Sequence, residues 1–260
     1  MLDFLKLEDI GVSYGDKIVL TDVNFSVCKG ETVALLGASG SGKSTILRLI
    51  IGLQEQTCGR IKIAGRYVND YSLNELKALR KTMGMVFQYS ALFDFLSVKE
   101  NVAFGLRQHT TFTDKEINAQ VKELLQLVDL VGKDEMMPSE ISGGMKKRVS
   151  LARAIAIHPQ ILLYDEPTAG LDPIVSRAIN RLMLKVQQEI KTTSIVVTHD
   201  IESAFMVADR IIMLHEGRVV VDQTVDNIFS VKNEFFQEFI AGWDARRITE
   251  SKEVLLREIN

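Results

Sequence analysis

The chain has 260 residues, 46% hydrophobic and 25% charged, with a formal net charge of −3, an ordinary globular balance that fills one large domain or two small ones. The charge argues against the basic face that non-specific nucleic-acid binding needs. Cys28 and Cys58 match no metal or redox spacing and are expected as reduced thiols; the acidic first turn lacks a signal-peptide core, and no run approaches the roughly 18 uncharged apolar residues of a membrane span.

In chain order, residues 5–27 read as short strands. Gly15-Asp16 separates Val12-Ser13-Tyr14 from Ile18-Val19-Leu20 in a hairpin-like pattern. Lys29-Gly30 turns the chain into Val33-Ala34-Leu35-Leu36, a buried strand. Gly37, Ala38, Ser39, Gly40, Ser41, Gly42, Lys43, Ser44 and Thr45 follow, and then an apolar helix over 45–51. A G-x-x-x-x-G-K-[ST] stretch between strand and helix is the P-loop arrangement. Its glycines let the backbone N–H groups turn inward beside a helix N-terminus, which makes an anion cradle. Lys43 is placed to reach β- and γ-phosphates and the Ser44 hydroxyl to bind Mg²⁺.

Residues 60–65 read as a strand ending in a turn, 73–81 as a helix, and Met85-Val86-Phe87-Gln88 as a strand with Gln88 at its end. From 89 to 158 strand-like runs give way to helical periodicity. Leu124, Leu125, Val128 and Val131 recur on one face. Met136-Met137-Pro138 breaks the pattern, and Ser142-Gly143-Gly144 opens a helix with Met145, Val149, Ala152 and Ala156 on one side. Strands return at 161–164, at 194–198 after a helix over 173–189, and as a closing hairpin at 211–214 and 219–221. Continuous apolar runs separated by helices predict an α/β fold with a mostly parallel sheet covered on both faces.

Asp165 and Glu166 follow a four-residue apolar run, where open α/β sheets place ligand groups. Beside a P-loop, Asp165 is the expected Mg²⁺ partner, and Glu166 is placed to orient or deprotonate a water; the alternative is a pair of helix-start acids. His199 also closes an apolar strand, as a cap or as a γ-phosphate contact. Ser142-Gly143-Gly144 fits either a capped helix start or a second phosphate cradle serving another chain's nucleotide. Tyr14 fits an ordinary strand aromatic. The 92–96 stretch fits both a helical core and an apolar groove for a partner helix.

In their order, the P-loop, Gln88, Ile141-Ser142-Gly143-Gly144-Met145, Leu163-Tyr164-Asp165-Glu166-Pro167, Gly170-Leu171-Asp172 and His199 resemble the motifs of the ABC-transporter ATP-binding subunit, over about residues 5–240. The resemblance implies a P-loop ATPase with an N-terminal antiparallel β subdomain and an inserted helical subdomain. It implies boundaries of 1–240 for the ATPase domain, with core 1–88 and 159–240, insert 89–158, and a tail over 241–260. It further implies ATP and Mg²⁺, and a homodimer on the cytoplasmic face of the inner membrane, bound peripherally to integral-membrane permease subunits and not to nucleic acid. By that resemblance Tyr14 stacks on adenine and Gln88 contacts Mg²⁺ and water. Ser142, Gly143, Gly144 and Met145 act on the opposite subunit's nucleotide, Glu166 is the catalytic base, His199 steadies the γ-phosphate and Asp172 lies at the dimer interface.

Met145, where the family usually has Gln, and the stretches 91–104, 106–110 and 136–140 resemble ATPases of the Mla/Mce phospholipid-transport type. That implies an Mce-type substrate-binding partner. Transport of another solute shares every catalytic motif. A soluble ABC ATPase of translation or DNA repair is disfavoured by the single cassette and the lack of long heptad arms. In the tail, Ile248, Leu255 and Ile259 form an apolar stripe, with Glu253 and Arg257 paired at i, i+4 and Trp243 nearby. A solvated end is the default for a terminus; a helix packed on a partner is the alternative.

Overall fold

The computed structural model describes residues 3–241 together with Lys252, Val254, Leu255, Leu256 and Ile259. Two strands open the chain, β1 (Asp3–Tyr14) and β2 (Lys17–Cys28), antiparallel across the Gly15-Asp16 turn. Both are longer than the short strands expected. Asp9 and Asp22 sit at φ 52° and 51°, and register shifts along β1 interrupt the alternation that marks a strand in sequence.

Four parallel strands form the centre of a second sheet: β3 (Thr32–Leu36), β6 (Met83–Val86), β7 (Ile161–Asp165) and β8 (Thr193–Thr198). β4 (Cys58–Ile63) and β5 (Arg66–Tyr67) complete the first sheet, in the order β2-β1-β4-β5. β9 (Arg210–His215) joins the second sheet parallel to β3, and β10 (Arg218–Thr224) closes it antiparallel, in the order β10-β9-β3-β8-β7-β6. β5 escapes sequence reading because two residues carry no periodicity.

Helix α1 (Lys43–Ile50) is clamped between the sheets. Its Ile46, Leu47, Leu49 and Ile50 share one buried cluster with Leu7 and Ile10 of the first sheet and Val33, Leu35, Ile195 and Val197 of the second. This sets the start of α1, and so the P-loop, against the end of β3. The other helices are α2 (Leu73–Arg80), α3 (Val98–His109), α4 (Asp114–Leu127), α5 (Gly143–Ile155), α6 (Pro173–Ile190), α7 (Ile201–Val207) and α8 (Glu234–Phe239). The far face of the second sheet is covered by α6, through Ile179, Leu182 and Val186 against Leu162, Tyr164 and Val196. α7 covers it through Ala204 and Phe205 against Ala34, Leu36 and Ile211. Covering both faces is what makes the central strands continuous apolar runs. Between β6 and β7 the chain forms α3, α4 and α5, whose Leu106, Val121, Leu125, Val149 and Ala152 extend the α6 cluster.

Three expectations are corrected. The sixth strand ends at Val86, so Gln88 lies in the turn beyond it. Helix α4 stops at Leu127, and Asp129 turns left-handed at φ 55°. Val131 therefore leaves the buried face and is 72% exposed. In the tail, Leu255 is fully buried in the α6 cluster and Lys252 Nζ donates to the Ala208 carbonyl at 2.8 Å. These residues pack on their own chain rather than standing solvated. Trp243, Ile248, Glu253 and Arg257 lie outside the described residues.

Candidate functional site

The neighbouring strands β3, β8, β7 and β6 run parallel, so their C-terminal ends share one edge. The P-loop leaves β3, His199 follows β8, Glu166 follows β7, and Gln88 lies two residues past β6. A crevice beyond the carboxyl ends of parallel strands is where such sheets hold ligands.

The loop's backbone is fixed by its own crowding. Gly42 caps α1 at φ 103°, and a Cβ there would lie 2.4 Å from Leu20 Cδ2. At Gly37 a Cβ would meet the Leu214 carbonyl oxygen at 2.4 Å. Only glycine lets this turn sit so close to β2 and β9. Within it, Lys43 is 5% exposed, and its ammonium donates to the carbonyls of Gly37 at 2.8 Å and Ala38 at 3.0 Å. Glu166 Oε1 lies 4.0 Å from Lys43 Nζ. Burial pulls the Lys43 ammonium below its usual pKa, while the charges of Glu166 and Asp165 oppose that shift.

Two further contacts lie along the same strand edge. Ser44 Oγ donates to Asp165 Oδ1 at 2.9 Å. Glu166 Oε2 lies 2.9 Å from His199 Nδ1 and accepts weakly from the His199 amide at 3.4 Å. Glu166 itself sits left-handed at φ 47°, and its N–H donates a hydrogen bond to the Val197 carbonyl at 2.9 Å. A non-glycine residue in that region carries strain of about 1–3 kcal/mol, of the kind that gathers at working sites.

The resulting cavity has a volume of about 550 Å³ and is lined by Ala38, Ser39, Gly40, Lys43, Ser44 and Thr45 on one side and Gln88, Glu166 and His199 on the other. A second cavity of about 540 Å³ adjoins it through Val19, Gly40 and Thr45 and is lined by Tyr14 and Arg48. Tyr14, half exposed at the end of β1, thus lines the space that continues from the P-loop cavity. Ser41 Oγ is buried without a hydrogen-bond partner. The buried Lys43 ammonium in the cavity wall, beside the hard oxygens of the Ser44 hydroxyl and the Asp165 carboxylate, fits a polyphosphate with Mg²⁺.

The segment 142–145 lies elsewhere. Ser142 caps α5, its Oγ accepting from the Met145 amide at 3.3 Å. Gly144 packs so closely on α6 that a Cβ would sit 2.7 Å from Val175 Cγ1. None of Ser142, Gly143, Gly144 and Met145 lines the P-loop cavity. Asp172 caps α6, its Oδ1 accepting from the amides of Ile174 and Val175 at 3.0 Å each. The 91–97 stretch is held from α3: Asn101 is fully buried, accepts from the Phe93 amide and donates to the Phe93, Leu96 and Ser97 carbonyls. That frame turns Phe95 outward, 77% exposed. Lys147, which sequence reading passes over, is buried against the backbone of Gln88 and Glu166.

A P-loop at a buried helix start, faced by a strand-end Asp-Glu pair and a histidine, defines a nucleoside-triphosphate-binding α/β domain. Residues 20–169, more than half of the chain, match the ABC transporter family. The chain is 42% identical over 217 residues to the sulfate/thiosulfate import ATP-binding protein CysA of Synechococcus elongatus, covering 83% of this chain and 61% of that protein. It is 37% identical over 256 residues to the methionine import ATP-binding protein MetN of Campylobacter jejuni, covering 92% and 76%. Among solved structures, cbiO1 from Clostridium perfringens, part of the ABC transporter complex cbiONQ, superposes with a TM-score of 0.81 at 31% identity, covering 96% of this chain and 99% of that one. The dimeric post-hydrolysis state of the ATP-binding cassette MJ0796, bound to ADP and Pi, gives a TM-score of 0.77 at 35% identity, covering 85% and 98%. The chain belongs to the ABC transporter family, with the ABC ATPase fold. It spans about three fifths of the length of the CysA relative.

Proposed function

We propose that the chain is the ATP-binding and ATP-hydrolysing part of an ABC transporter. The observation that carries this reading is the meeting of Lys43, the Ser44–Asp165 pair and the Glu166–His199 pair at one strand edge. The amides of residues 37–45 cradle the phosphates, and Lys43 supplies positive charge to the β- and γ-phosphates. Ser44 and Asp165 would hold Mg²⁺, with Gln88 beside them, and the bound cation would supply positive charge to the phosphate oxygens. Glu166 takes a proton from the attacking water, and His199 keeps the Glu166 carboxylate aimed. Tyr14 covers the adenine.

The working unit is a homodimer. Residues 142–145 have no nucleotide to serve in their own cavity, and a second copy supplies one. Asp172 and the 83%-exposed Ile174 beside it form part of the joining face. The dimeric structure of the MJ0796 cassette supports this by likeness. Among the described residues no helix is long and apolar enough to cross a membrane, so the span comes from permease subunits. The chain docks on them peripherally at the cytoplasmic face of the inner membrane, through the outward aromatic stretch at 92–96.

For the cargo, we favour phospholipid moved by an Mla/Mce-type assembly with an Mce-type binding subunit, on Met145 and residues 91–104. Import of a small solute is the second reading, favoured by the identity to CysA and MetN. The complex purified from membranes tests both. Mg²⁺-dependent ATP hydrolysis that EDTA abolishes supports the catalytic reading, and absence of hydrolysis overturns it. Co-purified phospholipid that stimulates turnover supports the first cargo, and stimulation by sulfate or methionine supports the second.

A further inference from the structure

Helix α5 carries a buried charge that the mechanism above does not use. Lys147 is 5% exposed. Its ammonium donates to the Gln88 carbonyl, and more weakly to the carbonyls of Phe87 at 3.5 Å and Glu166 at 3.4 Å. These partners lie 59, 60 and 19 residues away in sequence. A buried ammonium is costly unless it is well hydrogen-bonded; here main-chain carbonyl oxygens accept its hydrogen bonds. Burial lowers its pKa, and the nearby charges of Asp165 and Glu166 hold it up.

The backbone at these ties is strained. Glu166 is left-handed at φ 47°, and just beyond Gln88 the chain runs left-handed again at Ser90 and Ala91, φ 63° and 46°. Such conformations persist only where the surroundings over-determine them. One ammonium bonds to both segments, and it comes from the helix that begins with Gly143-Gly144.

We propose that Lys147 is a positioning residue: it fixes the main chains of Gln88 and Glu166 to α5, so that the water-facing groups of one ATP site move with the helix whose start serves the other site. Its second half rests on the dimeric reading above. Lys147 does not line the P-loop cavity; it acts through where it holds Gln88 and Glu166. An uncharged stem of the same length keeps the packing and loses all three bonds, and a glutamine keeps one donor on a shorter stem.

The test is steady-state ATP hydrolysis by the full chain, with thermal melting and nucleotide affinity measured separately. Lys147→Met is expected to lower kcat at least tenfold with KM for ATP within about twofold of wild type, because the P-loop is untouched. Lys147→Gln is expected to fall between the two. Should the methionine variant not fold, the glutamine variant carries the test with the same split. A wild-type kcat in a folded variant overturns the proposal. So does a loss of kcat that comes with an equal loss of nucleotide affinity and of melting temperature, since that is general damage. A wild-type chain that does not hydrolyse ATP instead overturns the catalytic reading beneath it.

Discussion

Lys43 and Glu166 illustrate how this site is built from costly placements. Lys43 has its ammonium buried on two loop carbonyls, and Glu166 is strained at φ 47° with His199 against its carboxylate. Charge-assisted hydrogen bonds contribute about 1.5–3 kcal/mol each, and every 1.4 kcal/mol is about tenfold in affinity. Lys43→Ala is therefore expected to weaken ATP binding by roughly ten- to a hundredfold, read by titration with a fluorescent ATP analogue; unchanged affinity would remove Lys43 from the phosphate site. The residues legible in sequence were those that the structure brings together at one strand edge: the P-loop, Asp165-Glu166 and His199. Gln88 was legible as a residue, though not its position in a turn past the strand. Lys147 was not legible, because a lysine on a helix ordinarily reads as solvent-facing, and only the fold brings it to the carbonyls of Gln88 and Glu166.

The capped helices show local sequence deciding boundaries. Ser72 and Glu75 form a reciprocal capping box at the start of α2. The Arg66 guanidinium donates to Glu75 at 2.7 Å and, with the Ser72 amide, brings the carboxyl down to about 2 from its usual 4.5. Because the folded value is the lower one, the stabilisation is complete above pH 4.5 and is lost as pH falls toward about 2. Both groups are solvent-exposed, so the effect is small and salt-sensitive. Glu75→Gln is expected to flatten stability against pH across that window, checked by urea unfolding at stepped pH; an unchanged acid limb would show the pair does not act. Elements of strong periodicity, such as α6 and the central strands, were legible for the same local reasons. The end of α4 was not, because Val131 keeps the spacing of a buried residue while the left-handed Asp129 has already turned the chain away.

The whole molecule is two sheets with α1 between them and helices on the outer face, so the strand edge that carries the candidate site is set by long-range packing. The tail belongs to that packing: Leu255 is fully buried in the cluster around α6. Leu255→Ala is expected to cost about 2–5 kcal/mol of unfolding free energy, read by chemical denaturation, and a loss below about 0.5 kcal/mol would place the residue in solvent. The stripe was visible in sequence, but which surface it covers depends on contacts that no local pattern encodes. The central claim is that Glu166 is the base of an ATP site shared between two copies. Turnover and association state of Glu166→Gln in Mg-ATP test it most directly. Turnover reduced by about 10²–10⁴-fold, with ATP affinity kept and the chain held as a dimer, is expected; wild-type hydrolysis by that variant would show that Glu166 is not the base.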